Sequence, residues 1–361
     1  MKLNRLGRVV VRVTAGLFAL LLVVLLVWED GRFLLRAGWE EARILVRRRP
    51  IERLVRDSSL SSVVRGKLGL VLDARRYAVQ VLGLEAGRSF LYYSDVGRDT
   101  LVLVLSAAYR DRLEPYRWWF PVVGRVPYRG YFDWGAARRA EERLRRRGFD
   151  TYLRPATAFS TLGWFDDPLL STTLAEDSVG LANTVIHELV HNTVFVRDAA
   201  EFNESLASFV GGRGAVAFFR ERGDSVAAER AEAEWGDERR LAAFWDALAG
   251  AVEDAYRRAG SDSVARVAAR DSVYRAWRRV LVDSVGPTLR LVPRLWLERV
   301  PLDNASLLAR RTYATRVDVF EAVWERCGRD VAAVVRLARS VGEGDPYAVL
   351  ASGAAVCAST R

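Results

Sequence analysis

Histidine is almost missing from this chain of 361 residues, which carries two. Lysine is as scarce, with Lys2 and Lys67, so nearly all of the positive charge is arginine. Cysteine also occurs twice, as Cys327 and Cys357. Each shortage excludes something. Neither cysteine lies near a histidine in the sequence, so neither is read as a metal ligand. An oxidising compartment would let the two cysteines pair; buried free thiols are the other outcome. The net charge of +10 comes from arginines spread along the chain and intermixed with Asp and Glu. That pattern reads as solvated helix faces and argues against a nucleic-acid-binding surface.

What is present is concentrated in one stretch. Both histidines fall in Asn183-Thr184-Val185-Ile186-His187-Glu188-Leu189-Val190-His191, four residues apart. Positions i and i+4 share one face of an α-helix, so both imidazoles can reach one metal ion. Glu188 stands about 100° round from His187, placed to meet a water held at that ion. The pattern is H-E-x-x-H, the zinc-peptidase signature. Buried histidines that merely hydrogen-bond would leave unexplained why a chain that avoids His places both on one face.

A catalytic zinc site uses three protein ligands and leaves one position open. No third histidine exists and no cysteine is near, so the third ligand is expected to be a carboxylate. The next helix, starting near Ala200, offers Glu204, our preferred ligand. Glu201 is the rival, or stands behind the ligands and orients them. Ala207 and Ser208 are small and are expected to let this helix approach the first. The metal helix itself is expected from the capping pair Asp177-Ser178 to about Thr193.

At the N-terminus, Lys2, Arg5, Arg8 and Arg12 precede a 16-residue apolar run, Val13 to Trp28. Counted from Val9, with Arg12 reaching back to the interface, it attains the roughly 20 residues that a membrane span needs. No small-x-small cleavage site follows, and no cysteine stands there for a lipid anchor. Residues 1–30 are therefore expected to form an uncleaved signal anchor in the lipid bilayer, with a cleaved signal peptide as the alternative. Residues 31–361 are expected to form the functional domain.

Half of the residues are apolar, enough for a sizeable core. Helices are expected at Phe33 to Arg49, Ser58 to Leu84 and Ala136 to Arg147. Strands are expected at Thr100 to Ser106 and Thr151 to Ser160, with Tyr116 to Asp133 irregular because of its Pro and Gly. Gly163 to Thr172, aromatic and acidic, is expected as a loop that could wall a cleft. Beyond the second metal helix the pattern is helical: Glu221 to Arg258, Ser261 to Val285, and Phe320 to Arg339. Asp-Ser-Val recurs at Asp224, Asp262, Asp271 and Asp283, read as helix starts without a fixed period.

Several segments carry a family resemblance. Asn203-Glu204-Ser205-Leu206-Ala207, following H-E-x-x-H, looks like the gluzincin pattern N-E-x-x-A. More narrowly, the chain resembles a bacterial family called putative aminopeptidases. The matching segments are Val126 to Phe132, Ser160 to Phe165, Asp167 to Leu170, His187 to His191 and Phe202 to Ser205. Asp303-Asn304-Ala305 matches less well, since the family favours Asn at its first place. The resemblance runs from about Trp39 to the C-terminus. It implies removal of an N-terminal residue from a peptide and an exported, periplasmic catalytic domain. It also implies a tyrosine that steadies the oxyanion, for which Tyr313 and Tyr131 are candidates.

The expected whole is an α+β, zincin-like, two-lobed metallopeptidase: a mixed sheet and an active-site helix, then a mainly helical C-terminal lobe. His187, His191 and Glu204 are expected to hold Zn²⁺, with Glu188 as general base. An exopeptidase must also bind a free amine, for which Asp166, Asp167 or Glu201 would serve. A membrane-anchored endoprotease and a non-catalytic anchored scaffold with a vestigial metal site are the alternatives.

Overall fold

The structure is a computed structural model that describes Gly16 and residues 29–98, 100–120, 124–156, 168–342 and 344–357. Apart from Gly16, the expected anchor over residues 9–28 lies outside the described residues. So do Asp166 and Asp167 and the adjoining start of the aromatic-acidic loop. Among the described residues no helix is long and apolar enough to cross a membrane.

The chain is mixed α and β, with long helices and, among the described residues, three small sheets. After α1 (Glu29–Arg47) come β1 (Arg49–Pro50), α2 (Ser62–Gln80), β2 (Tyr92–Ser94) and β3 (Val102–Ala108). Next are β4 (Trp118–Phe120), β5 (Gly124–Val126), β6 (Tyr128–Tyr131), α3 (Trp134–Arg146), β7 (Asp150–Ala156) and β8 (Leu169–Leu170). Then follow α4 (Ser178–His191), α5 (Ala200–Glu221), α6 (Ser225–Arg258) and α7 (Ser263–Arg279). A π-helical turn (Val280–Val285) leads on to α8 (Asn304–Arg311), α9 (Val317–Arg326), α10 (Val331–Arg339) and α11 (Pro346–Cys357).

The main core forms around α4. Val179, Leu181, Ala182, Val185, Ile186, Leu189 and Val190 are all buried. Their three- and four-residue spacing gives an apolar face that only a helix can present. Asp177 starts it: its side chain accepts from the Val179 and Gly180 amides at 3.0 Å each. Just upstream, Lys67 of α2 donates to the carbonyls of Leu174 (3.0 Å), Ala175 (3.4 Å) and Glu176, closing the short helix Ser171–Leu174. Helices α2 and α5 flank α4, and α6 lies against α5. Phe202, Phe209 and Phe320 are fully buried there, each worth roughly 1.5–3 kcal/mol of apolar burial.

Glycines on α5 set how close the helices come. A Cβ on Gly211 would stand 2.3 Å from Asn183 Oδ1, 3.2 Å from the Asn183 carbonyl oxygen and 3.2 Å from His187 Cβ. One on Gly212 would stand 2.4 Å from the Trp235 ring of α6. Ala207 is buried as expected, but the closest helix approaches are made by these glycines.

The largest sheet runs β6–β3–β7, antiparallel throughout. Its register pairs Leu103 with Tyr131 and Pro155, and Leu105 with Arg129 and Leu153. That face is covered by Ala137, Ala140 and Leu144 of α3, whose N-cap Asp133 accepts from the Ala136 amide at 2.7 Å. Alternation sends the partners on the other rows to the opposite face: Val104 with Gly130 and Arg154, and Ser106 with Tyr128 and Tyr152. A second sheet, β1–β2–β8, contains both antiparallel and parallel pairs, and β4–β5 is a separate hairpin.

Several elements differ from the sequence reading. The expected single mixed sheet is divided into these three. Tyr116 to Asp133 is not wholly irregular but holds β4, β5 and β6; Gly124, with positive φ, is the first residue of β5 and pairs with Phe120. The expected helix from Phe320 to Arg339 is two, because Gly328 and Arg329 take positive φ and Asp330 starts a new cap. Asp224 and Asp262 do cap α6 and α7. Asp271 and Asp283 do not start helices; they pair instead with Arg270 (3.1 Å) and Arg294 (3.2 Å).

Two features tie distant segments together. Asn304 is fully buried, with Nδ2 facing the carbonyls of Tyr109 (2.6 Å) and Arg112 (3.0 Å) and the Tyr256 hydroxyl (2.8 Å). Tyr274 donates to its Oδ1 at 2.7 Å. This knot joins β3, α6, α7 and α8 and gives the Asp303-Asn304-Ala305 segment a structural role. Cys327 and Cys357 form a disulfide that joins the ends of α9 and α11, so the free-thiol alternative falls. Closing a loop across a separation of 30 residues stabilises by about 3–4 kcal/mol on the chain-entropy account.

Candidate metal centre

Helix α4 carries His187 and His191 one turn apart, and both side chains emerge from the core at its half-buried edge. Their Nε2 atoms are 3.3 Å apart. Helix α5 brings Glu204 to them, with Oε2 at 3.5 Å from His187 Nε2 and 3.6 Å from His191 Nε2. Donor atoms on one tetrahedral zinc, at roughly 2.0–2.2 Å from it, are about 3.3–3.6 Å apart. The triangle of two nitrogens and one oxygen therefore has the edges of one face of such a tetrahedron. Among the described residues this is the one group of three His, Cys, Asp or Glu donors so gathered. The donor set, two imidazole nitrogens and a carboxylate oxygen, fits zinc.

Neighbouring residues explain the placement of Glu204. Asn203 is buried; its Nδ2 donates to the Val196 carbonyl at 2.8 Å and its Oδ1 accepts from the Val196 amide at 2.9 Å. This pair pins the connection between α4 and α5 to the first turn of α5. Ser205 accepts from the Thr315 amide at 3.0 Å, anchoring the same turn on its other side. Glu201 is exposed and faces Thr315 Oγ1 at 3.5 Å, so it is not part of the donor triangle.

The electrostatics match the geometry. Burial pushes the Glu204 carboxyl up, but hydrogen bonds and charge from His187 and His191 outweigh it and pull it down to about 2. Burial pushes the His191 imidazole down, but Glu204 beside it, with a further contribution from the Glu188 charge, holds it above its ordinary value. The three groups thus favour a positive charge between them, carried by a proton or by a metal ion. Glu188 sits next to His187 on α4, half-buried and near enough for its charge to act on His191.

The two tyrosine candidates separate. The Tyr313 ring centroid lies 6.4 Å from that of His187. Tyr131 is buried in the face of the sheet that α3 covers, so it does not reach the donors. Two residues near the site were not singled out from sequence, Tyr128 and Arg154. Burial first, and then the charge of Glu204, raise the Tyr128 and Tyr313 hydroxyls, while Arg154 pulls both the other way. Strand alternation held the clue, since Tyr128 and Tyr131 are three apart and must point to opposite faces.

A family model described as putative aminopeptidase matches residues 32–347. No curated protein and no solved structure matches the chain.

Proposed function

The chain belongs to the putative aminopeptidase family, and from that premise we propose that it is a zinc-dependent peptidase of zincin-like, gluzincin type. The donor triangle of His187, His191 and Glu204, with edges of 3.3–3.6 Å, is the observation that carries this reading. When bound there, zinc supplies Lewis acidity toward a carbonyl oxygen and toward the attacking water. Glu188 takes the proton of that water and passes it to the leaving amine. Tyr313 stands beside His187 to donate toward the oxygen that gains negative charge. Cleavage at a free N-terminus rests on the family description.

Residues 1–30 form the membrane anchor in this reading, and residues 31–361 the catalytic domain on the periplasmic side. The family match from residue 32 supports the division. The Cys327–Cys357 disulfide supports an oxidising compartment. Metal analysis of the detergent-extracted protein, with hydrolysis of free and N-terminally blocked peptides, tests the whole. One zinc per chain and cleavage of free peptides are expected. Cleavage of blocked peptides alone would make it an endoprotease, and a metal-free, inactive protein would contradict the reading.

A further inference from the structure

The sheet face that looks toward the donors carries Arg154, while Asp150, two rows along the same face, is already paired with Arg270 and Arg110. Val104 pairs with Arg154 in the register, which puts that guanidinium on the same face as Tyr128 and Tyr152. Arg154 lies half-buried over Tyr313, its guanidinium carbon 5.7 Å from the ring centroid. Tyr313 in turn lies 6.4 Å from His187. Behind Arg154 is Arg310 of α8. Its guanidinium sits among Tyr152 (5.3 Å), Trp245 (5.0 Å) and Trp296 (5.3 Å) and donates to the Tyr152 hydroxyl at 3.2 Å. Its Nε is buried without a hydrogen-bond partner. Burial first, and then the charge of Arg154, lower the Arg310 guanidinium, against an upward pull from Tyr152 and from Asp303. Among the described residues neither arginine makes an ion pair, although arginines elsewhere in the chain pair repeatedly with Asp and Glu.

Two guanidiniums close enough to repel, in a wall of aromatic rings, are an unfavourable arrangement that an anion would relieve. We infer that Arg154, backed by Arg310, is the subsite that binds a carboxylate of the substrate. The inference rests on the peptidase reading and adds to it a substrate class. A guanidinium recognises a carboxylate through two parallel N–H bonds, which an amide cannot match. Tyr313 is the one ring between Arg154 and His187 in this chain of contacts. Those two contacts together span about three to four extended residues, at roughly 3.5 Å per residue. The class that fits is a short peptide with its own C-terminal carboxylate, or with an acidic side chain at the same distance.

The test compares three peptides on the full-length, detergent-extracted protein: tri-alanine as the free acid, tri-alanine amide, and Ala-Ala-Glu amide. Wild type is expected to favour the free acid over tri-alanine amide by about ten- to a hundred-fold in kcat/KM, mostly through KM. Arg154→Gln should remove that preference, read as the ratio of free acid to amide, while keeping the zinc content. Recovery with Ala-Ala-Glu amide would assign the subsite to an acidic side chain, and no recovery to the C-terminus; both uphold it. Arg154→Lys should keep part of the preference and stands in if Arg154→Gln does not fold. Absence of an acid preference in wild type, or its survival in a folded Arg154→Gln, overturns the inference. Should no peptide be hydrolysed, the peptidase reading fails by itself. Calorimetry then decides the subsite on its own: tighter binding of the free acid, lost in Arg154→Gln, upholds it, and equal binding overturns it.

Discussion

Gly211 of α5 faces Asn183 of α4 across so short a gap that a Cβ would stand 2.3 Å from Asn183 Oδ1. The Asn183 side chain can rotate away, but its carbonyl oxygen and His187 Cβ, each at 3.2 Å, move only with α4. The helix that bears Glu204 and the helix that bears the histidines are therefore set at their distance by a missing methyl group.

Gly211→Ala is expected to widen that distance and to cost about 1–3 kcal/mol, as overfilling of a close-packed interior does. The histidine–glutamate separations of 3.5 and 3.6 Å would lengthen with it. Thermal unfolding and zinc affinity should fall together. Unchanged values for both would show that the contact has slack.

Glu204 and Glu201 are one turn apart, yet one points to the histidines and the other to Thr315. Glu204→Ala should lose tightly bound zinc, whereas Glu201→Ala should keep it. Zinc measured after dialysis of the two variants separates them, and loss only in Glu201→Ala would reverse the assignment.

A buried pair away from the site predicts an acid limb of stability. Glu321 accepts from Arg213 at 2.9 and 2.5 Å and from Trp235 at 2.8 Å, and Arg239 also reaches it. Burial alone would raise its carboxyl; the hydrogen bonds and the arginine charges outweigh that and hold it below its ordinary value of 4.5. A lowered folded value means that the stabilisation is complete above pH 4.5 and is lost as the pH falls through that lower value. Glu321→Gln should cost about 1–3 kcal/mol at neutral pH, because Arg213 loses its two bonds to Glu321 and keeps Glu232 at 2.9 Å. Denaturant unfolding of the variant should also depend less on pH below 4.5 than that of wild type. Parallel pH profiles would show that Glu321 titrates alike in both states.

The donor triangle was largely legible in the sequence, and the reasons are local. Helical spacing alone puts His187 and His191 on one side, and Asp177 marks the start of their helix. Glu204 followed from counting ligands, although its choice over Glu201 needed the facing of α5, which Asn203 and Ser205 fix through Val196 and Thr315. What stayed hidden depends on pairings between distant segments. Arg154 and Tyr128 share a face only because β7 and β6 both pair with β3, in a register that no single segment dictates. Tyr131 was misjudged for the same reason, since its side of the strand is set by that register. The join between Cys327 and Cys357 likewise depends on how α9 and α11 come to lie together. The break at Gly328 and Asp330, by contrast, was readable: a glycine followed by a capping residue ends one helix and begins another.

In the proposed mechanism Glu188 moves the proton while the three donors hold the metal. Glu188→Gln tests it directly, because glutamine keeps the size and the helix but does not accept the proton. Zinc content, thermal unfolding and hydrolysis of unblocked peptides are measured together for wild type, Glu188→Gln and His191→Ala. Glu188→Gln is expected to keep zinc and stability and to lose about 10²–10⁴-fold in rate, the usual worth of general-base assistance, while His191→Ala loses zinc and activity together. A Glu188→Gln protein as active as wild type would contradict it.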